Sequence, residues 1–190
     1  MSFIRASGLG PLTASNTATI VDPATPLNGV ATMGPLVSFA AVAASGTSVT
    51  FTGIPSWVKR VTISLSGVTL SSTSAPRFRI GPSGGVETSG YLGSVTTAVG
   101  SVASQNWTTG FDCYSTGSGY LSHGSLILTL IDSTANTWAG QGIIGMSGEN
   151  RTHIIAGSKS ITGGPLSVVS VTTLSGTDTF TSGKIGVMYE

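Results

Sequence analysis

Trp57-Val58-Lys59-Arg60-Val61-Thr62-Ile63-Ser64-Leu65 sets Val61, Ile63 and Leu65 at every second position, with Thr62 and Ser64 between them. Side chains of a β-strand alternate between its two faces, so this spacing makes one apolar face and one hydroxyl face. A helix would need apolar residues three and four apart, and no window of the chain supplies that pattern with capping signals. The apolar phase slips at Ser66-Gly67 and resumes at Val68 and Leu70, the mark of a β-bulge.

Strand patterns recur on both sides of this stretch. Thr47 to Phe51 alternates, with Val49 and Phe51 on one face. The turn Gly53-Ile54-Pro55-Ser56 follows, and Pro55 bars it from a central strand. Arg77-Phe78-Arg79-Ile80 alternates again with both arginines outward. Leu126 to Ile131 is apolar on both faces, as in a central strand covered on each side. Thr137 to Ile144, Leu166 to Thr173 and Lys184 to Tyr189 complete the series, with Ile185, Val187 and Tyr189 sharing a face. Glycine-rich and Ser/Asn/Asp-rich clusters at 81–85, 115–119 and 132–136 punctuate the runs. This pattern predicts an all-β fold, an antiparallel β-sandwich of jelly-roll-like architecture, over residues 47–190. Residues 1–46 hold Pro11, Pro23, Pro26 and Pro35 and show neither period, which predicts an extended N-terminal arm for attachment and assembly.

Only 8% of the residues are charged, against about a quarter in an ordinary domain, and the net charge is +1. Solubility therefore falls to Ser, Thr and Gly, and little repulsion keeps copies apart. That points to a homo-oligomer or a larger assembly. Eight basic residues balanced by seven acidic ones cannot neutralise a phosphate backbone, so nucleic acid is not an expected partner. No segment reaches the ~20 apolar residues of a membrane span, and the first ten residues lack the apolar core of a signal peptide. Cys113, the single cysteine, reads as a small buried apolar residue.

Phe51-Thr52-Gly53-Ile54-Pro55-Ser56-Trp57-Val58-Lys59-Arg60-Val61-Thr62-Ile63-Ser64-Leu65-Ser66-Gly67-Val68 resembles a segment of bacteriophage and prophage tail proteins. Three further pieces resemble the same family in the same order: Gly81 to Tyr91, Leu128 to Trp138, and the closing Ser175 to Phe180 with Ile185 to Glu190. The resemblance covers about 47–190 and leaves out the arm. It implies a virion structural protein made in the host cytoplasm, a tail-fibre or receptor-binding type of subunit. Fibre-like relatives imply a trimer. The arm would then attach the subunit to other virion proteins, and the sandwich would project toward the host. A short free-standing version equally suits a capsid decoration protein, and a polysaccharide-degrading enzyme is the third class.

Catalytic patterns are weak. Gly81-Pro82-Ser83-Gly84-Gly85 resembles the nucleophile turn of chymotrypsin-like proteases with Pro82 in place of Asp, but His123 and His153 both follow Ser83, the reverse of that family's order. A glycine-rich turn between strands accounts for it. Neither histidine has a second ligand at metal-binding spacing, and no calcium-loop or nucleotide-binding pattern occurs. No enzyme activity, cofactor or metal is expected. Asp132 and Asp178 read as loop carboxylates that accept bonds from their own backbone. Sugars dock on aromatic rings flanked by hydrogen-bonding side chains, so host-surface carbohydrate is the ligand weighed. Asn106, Trp107, Tyr114 and Tyr120, in loop-like surroundings, are its candidate residues, with a subunit interface or core as the competing role. Trp57 and Trp138 read as core residues or rings under a turn.

Overall fold

The computed structural model describes residues 19–20, 31–32, 36–99, 101–114 and 119–190. Among them there is no helix. The strands are β1 (Thr19–Ile20), β2 (Ala31–Thr32), β3 (Val37–Ser38), β4 (Val42–Ala43), β5 (Ser48–Thr52), β6 (Arg60–Leu70), β7 (Pro76–Gly81) and β8 (Tyr91–Val99). There follow β9 (Ser101–Trp107), β10 (Phe111–Asp112), β11 (Leu121–Asp132), β12 (Thr137–Ser147), β13 (Arg151–Ser160), β14 (Val168–Thr173) and β15 (Phe180–Tyr189). The chain divides into two units, 1–35 and 36–190. In the first, β1 pairs with β2, and the rest of that unit lies outside the described residues.

The second unit is an antiparallel, sandwich-like pair of sheets. One runs β10-β7-β14-β5; the other runs β3-β15-β6-β11-β12-β13-β8-β9, with β4 also on β15. The small sheet turns Phe78, Ile80, Val169 and Val171 toward Val61, Ile63, Leu126, Leu128, Ile185 and Val187 of the large one, and all are 0–1% exposed. Alternation puts them there: each sits two residues from the next on its strand, so each strand buries one face. Residues 36–46, part of the arm in the sequence reading, do not stand apart. Val37 pairs with Tyr189, Val42 pairs with Ile185, and Ala44 is buried in the core.

The bulge expected at Ser66-Gly67 is present. From Leu65 to Val68, β6 advances three residues while β11 advances two, from Gly124 back to Ser122. The same slip separates Ser66 and Thr69 from Lys184 and Ser182 on β15. Gly67 takes φ 64° here and donates its N–H to His123 Nδ1 at 3.1 Å. Gly183 on the neighbouring strand has φ 95°, and a Cβ there would lie 2.4 Å from the Gly67 carbonyl oxygen. Neither position accepts a side chain.

Besides the two-residue strands β1–β4 and β10, three long strands were not legible in the sequence: β8, β9 and β13. Inward positions of β8 and β13 hold glycines where a large residue would normally mark a core face. Trp107 lies across Gly93 of β8 and Gly157 of β13, and a Cβ on either glycine would come within 2.4 Å of its ring. Gly93→Ala should therefore lower unfolding free energy by about 1–3 kcal/mol through overpacking. Ser94→Ala, on the opposite face, should change it by less than about 0.5 kcal/mol. Urea denaturation of both variants checks this.

Candidate assembly surface

The outer face of the nine-stranded sheet is the unusual surface of this molecule. On an antiparallel sheet with one face in water, outward positions are normally polar and charged. Here six strands side by side, β6, β11, β12, β13, β8 and β9, carry charged residues only at strand ends, Arg60, Asp132 and Arg151, or turned inward, Lys159. Between those ends the outward side chains are hydroxyls, amides, small residues, isoleucines and Leu92, with the His123 imidazole bonded to the Gly67 N–H.

The isoleucines cluster. Ile143 of β12 stands directly opposite Ile154 of β13, and the two are 61% and 53% exposed. Ile127 of β11 is opposite Gln141, one pleat along. Together with Ser125 and Ala156 they line a shallow depression of about 530 Å³. Six of the nine large exposed apolar side chains among the described residues, Leu92, Leu121, Ile131, Ile143, Ile154 and Met188, point from this one face. The pattern at Leu126 to Ile131 predicts cover on both sides. Leu126 and Leu128 have it, whereas Ile131 on the other side is 61% exposed.

The aromatic residues weighed for carbohydrate are not brought together on one face. Gln105 to Trp107 belongs to β9 and Phe111 to β10, so the loop-like surroundings expected for them give way to strands. Successive strand residues point to opposite faces: Asn106 is exposed, and Trp107 is 4% exposed in the core, edge-on to Phe111 with ring centroids 5.1 Å apart. Tyr114 is half-buried and packs against the core. Tyr120 is half-buried beside Gly148. The tryptophan at the surface is Trp57, 43% exposed above Tyr189, where the sequence reading had placed it in the core or under a turn. Trp138 is buried as expected.

The remaining chemistry-bearing groups hold the fold together. Arg77 grips Asp112 through two bonds, Nε to Oδ1 at 2.7 Å and Nη2 to Oδ2 at 2.8 Å, tying β7 to β10. Lys159, 5% exposed by its side chain, pairs with Glu87, and its ammonium lies 5.5 Å from the Tyr91 ring centroid. Burial works against the Glu87 charge, but hydrogen bonds from Lys159 and Thr162 outweigh it and hold this carboxyl below its ordinary range. Pro82 to Gly85 is a closed turn, with Gly85 N donating to Pro82 O at 3.1 Å. Asp132 accepts from Thr134 N and Ala135 N at 2.8 and 3.0 Å, the local role expected of it. Asp178 instead accepts from the distant Ser74 N. Cys113 is 1% exposed, and burial pushes its thiol up, away from nucleophilic reactivity. Among the described residues, no three His, Cys, Asp or Glu side chains are grouped to hold a metal ion.

His153 is fully buried between Thr97 Oγ1, 2.8 Å from Nδ1, and Met146 Sδ, 3.2 Å from Nε2. Burial, helped by the Arg151 charge, lowers its pKa to about 4.

No family model, curated protein or solved structure matches this chain.

Two predictions follow from these placements. Trp107→Ala should cost about 3–5 kcal/mol of stability, and Trp57→Ala less than about 1 kcal/mol, read from denaturant midpoints. For His153 the unfolded chain takes up a proton near pH 6.5 and the folded chain only near pH 4. Stability is therefore full above pH 6.5 and falls as pH drops toward 4, by on the order of 3 kcal/mol. His153→Asn, which keeps a partner for Thr97, should flatten the part of this slope between pH 6.5 and 5 in thermal melts.

Proposed function

We propose that this chain is a non-enzymatic structural subunit of a bacteriophage particle, of tail-fibre or receptor-binding type, that works by assembling with its own copies and with other virion proteins. The observation that carries the reading is the uncharged, isoleucine-centred outer face of the large sheet. A chain with 8% charged residues that leaves such a face open is built to have it covered. The rest of the fold supports an assembly role over a catalytic one. Its buried charges, Arg77 with Asp112 and Lys159 with Glu87, are engaged in pairs that join one element to another.

The tail-protein character of the reading comes from the segments that resemble that family. Gly53 to Val68 supplies a turn and most of β6, Leu128 to Trp138 supplies the hairpin between β11 and β12, and Ile185 to Tyr189 supplies β15. These strands are adjacent in the order β15-β6-β11-β12. Three of the resembling pieces thus lie on adjacent strands, while Gly81 to Tyr91 joins β7 of the small sheet to β8 at the other side of the large one. In this reading the N-terminal residues attach the subunit to the particle. Contact with host-surface carbohydrate falls to Trp57 at the end of the sandwich, because its ring offers an exposed apolar face near the Arg60–Glu190 ion pair.

Gold-labelled antibodies against the chain, applied to purified particles under the electron microscope, test the proposal. Label at the tail tip is the expected result. Label spread over the head would replace the tail reading with that of a capsid decoration protein, and particles without label would overturn both.

A further inference from the structure

We infer that two copies of this chain pack face to face across a twofold axis, through the outer surface of the nine-stranded sheet, with Ile127, Ile143 and Ile154 at the centre. The inference rests on the assembly reading above and adds which surface is used and with what symmetry.

Consecutive large apolar residues on three adjacent strands set the requirement. Ile143-Ile144 and Ile154-Ile155 each send one side chain to either face, as does Leu126-Ile127-Leu128. The inward members, Ile144, Ile155, Leu126 and Leu128, are 0–1% exposed, whereas among the described residues nothing covers the outward Ile143 and Ile154, 61% and 53% exposed. Strands with this pattern are normally buried on both sides.

The chemistry of the face selects its occupant. The strands β6, β11, β12, β13, β8 and β9 carry no charged side chain on this face between their ends. Lys184 of β15 is a single charge at its margin, so the face offers little complement to nucleic acid or to a strongly charged protein. Lipid would offer no hydrogen-bond partner to the hydroxyls of Thr62, Ser64 and Ser94 on this face. A second copy brings a matching neutral face. Its isoleucines seat over the low residues that flank the patch, Ser125 and Ala156 among them, and its hydroxyls meet hydroxyls.

Size and symmetry agree. Six strands ~4.8 Å apart and 7 to 12 residues long, at ~3.3 Å per residue, give a face of roughly 950 Å², enough for the ~800 Å² per partner of a standard stable interface. A threefold ring needs two different complementary surfaces on each subunit, while a twofold dimer uses one surface twice. Among the described residues a single face has this character, which favours the dimer over the trimer implied by fibre-like relatives.

Sedimentation velocity on the full chain tests the inference, with the double variant Ile143→Lys/Ile154→Lys and the control Ser83→Lys, which puts the same charge on an exposed turn. Wild type and Ser83→Lys should sediment at twice the 19.0 kDa chain mass. The double variant should be monomeric, with its circular dichroism spectrum unchanged and association weakened at least ~100-fold. In a separate preparation, Ile143→Cys should form a disulfide-linked dimer on mild oxidation, because a residue near the axis meets its own copy, and the buried Cys113 should not. A trimer, or a dimer that survives both lysines, would overturn the inference and leave the assembly reading standing. A wild-type chain that stays monomeric at ~100 μM and is absent from particles would remove both.

Discussion

Four strands of one sheet have to cover the inner face of nine, and at one edge that cover runs out. β5 lies over β15 at one side and β10 over β8 and β13 at the other, so the small sheet spans most of the large one. Beyond β10 there is no further strand to complete the layer, and rings take over. Phe111 sits over Gly140, Trp107 over Gly93 and Gly157, and Tyr91 meets Phe111 edge-on at 5.3 Å. A sheet-to-sheet gap of ~10 Å is normally filled by two layers of side chains. Here one aromatic layer resting on bare backbone does the same. The strand glycines thus make room for aromatic packing, and they are as much part of the core as the isoleucines.

Charge is handled with similar economy. Arg77 is paired with Asp112, Lys159 with Glu87, Arg151 with Glu149 and Arg60 with Glu190. The Arg77 and Lys159 pairs are largely buried and join segments distant in the chain. Removing one partner of such a pair strands the other in a poorly solvated site, so their value lies in fixing which element lies against which. Their consequence outside is a surface with few free charges over its widest face.

The strand regions with strict alternation could be read from sequence: β6 with its bulge, β5, β7, β12 and β15. β5, β6, β7 and β15 keep large apolar residues at every second position, and a bulge announces itself as a change of phase. β12 is marked by Trp138 and Ile144 on either side of Gly140 and Gly142. β8 and β13 hid because their inward positions hold glycines, Thr97, His153 and Lys159, which look polar or empty until the rings and partners above them are in place. β9 hid because its short run from Ser101 to Trp107 is mostly polar. Trp107 looked like a surface aromatic for the same reason, since nothing in its neighbours along the chain marks Gly93 and Gly157 as its seat. The apolar outer face was half legible. The doubled apolar pattern of Leu126 to Ile131 is visible in sequence, but only the sheet order shows that Ile143 and Ile154 lie beside it, exposed among the described residues.

The place of β15 bears on how the molecule comes off the ribosome. It is inserted between β6 on one side and the short β3 and β4 on the other, although some 110 residues separate its start from the end of β6. Until Phe180 to Tyr189 have been made, one full edge of β6 and the partners awaited by Val37 and Val42 remain open. The sheet cannot close in the order of synthesis. Until β15 is in place, those edges stay unpaired and invite neighbouring chains to pair instead. β15 acts as a latch: one strand, inserted between β6 and the short β3 and β4, closes both edges at once.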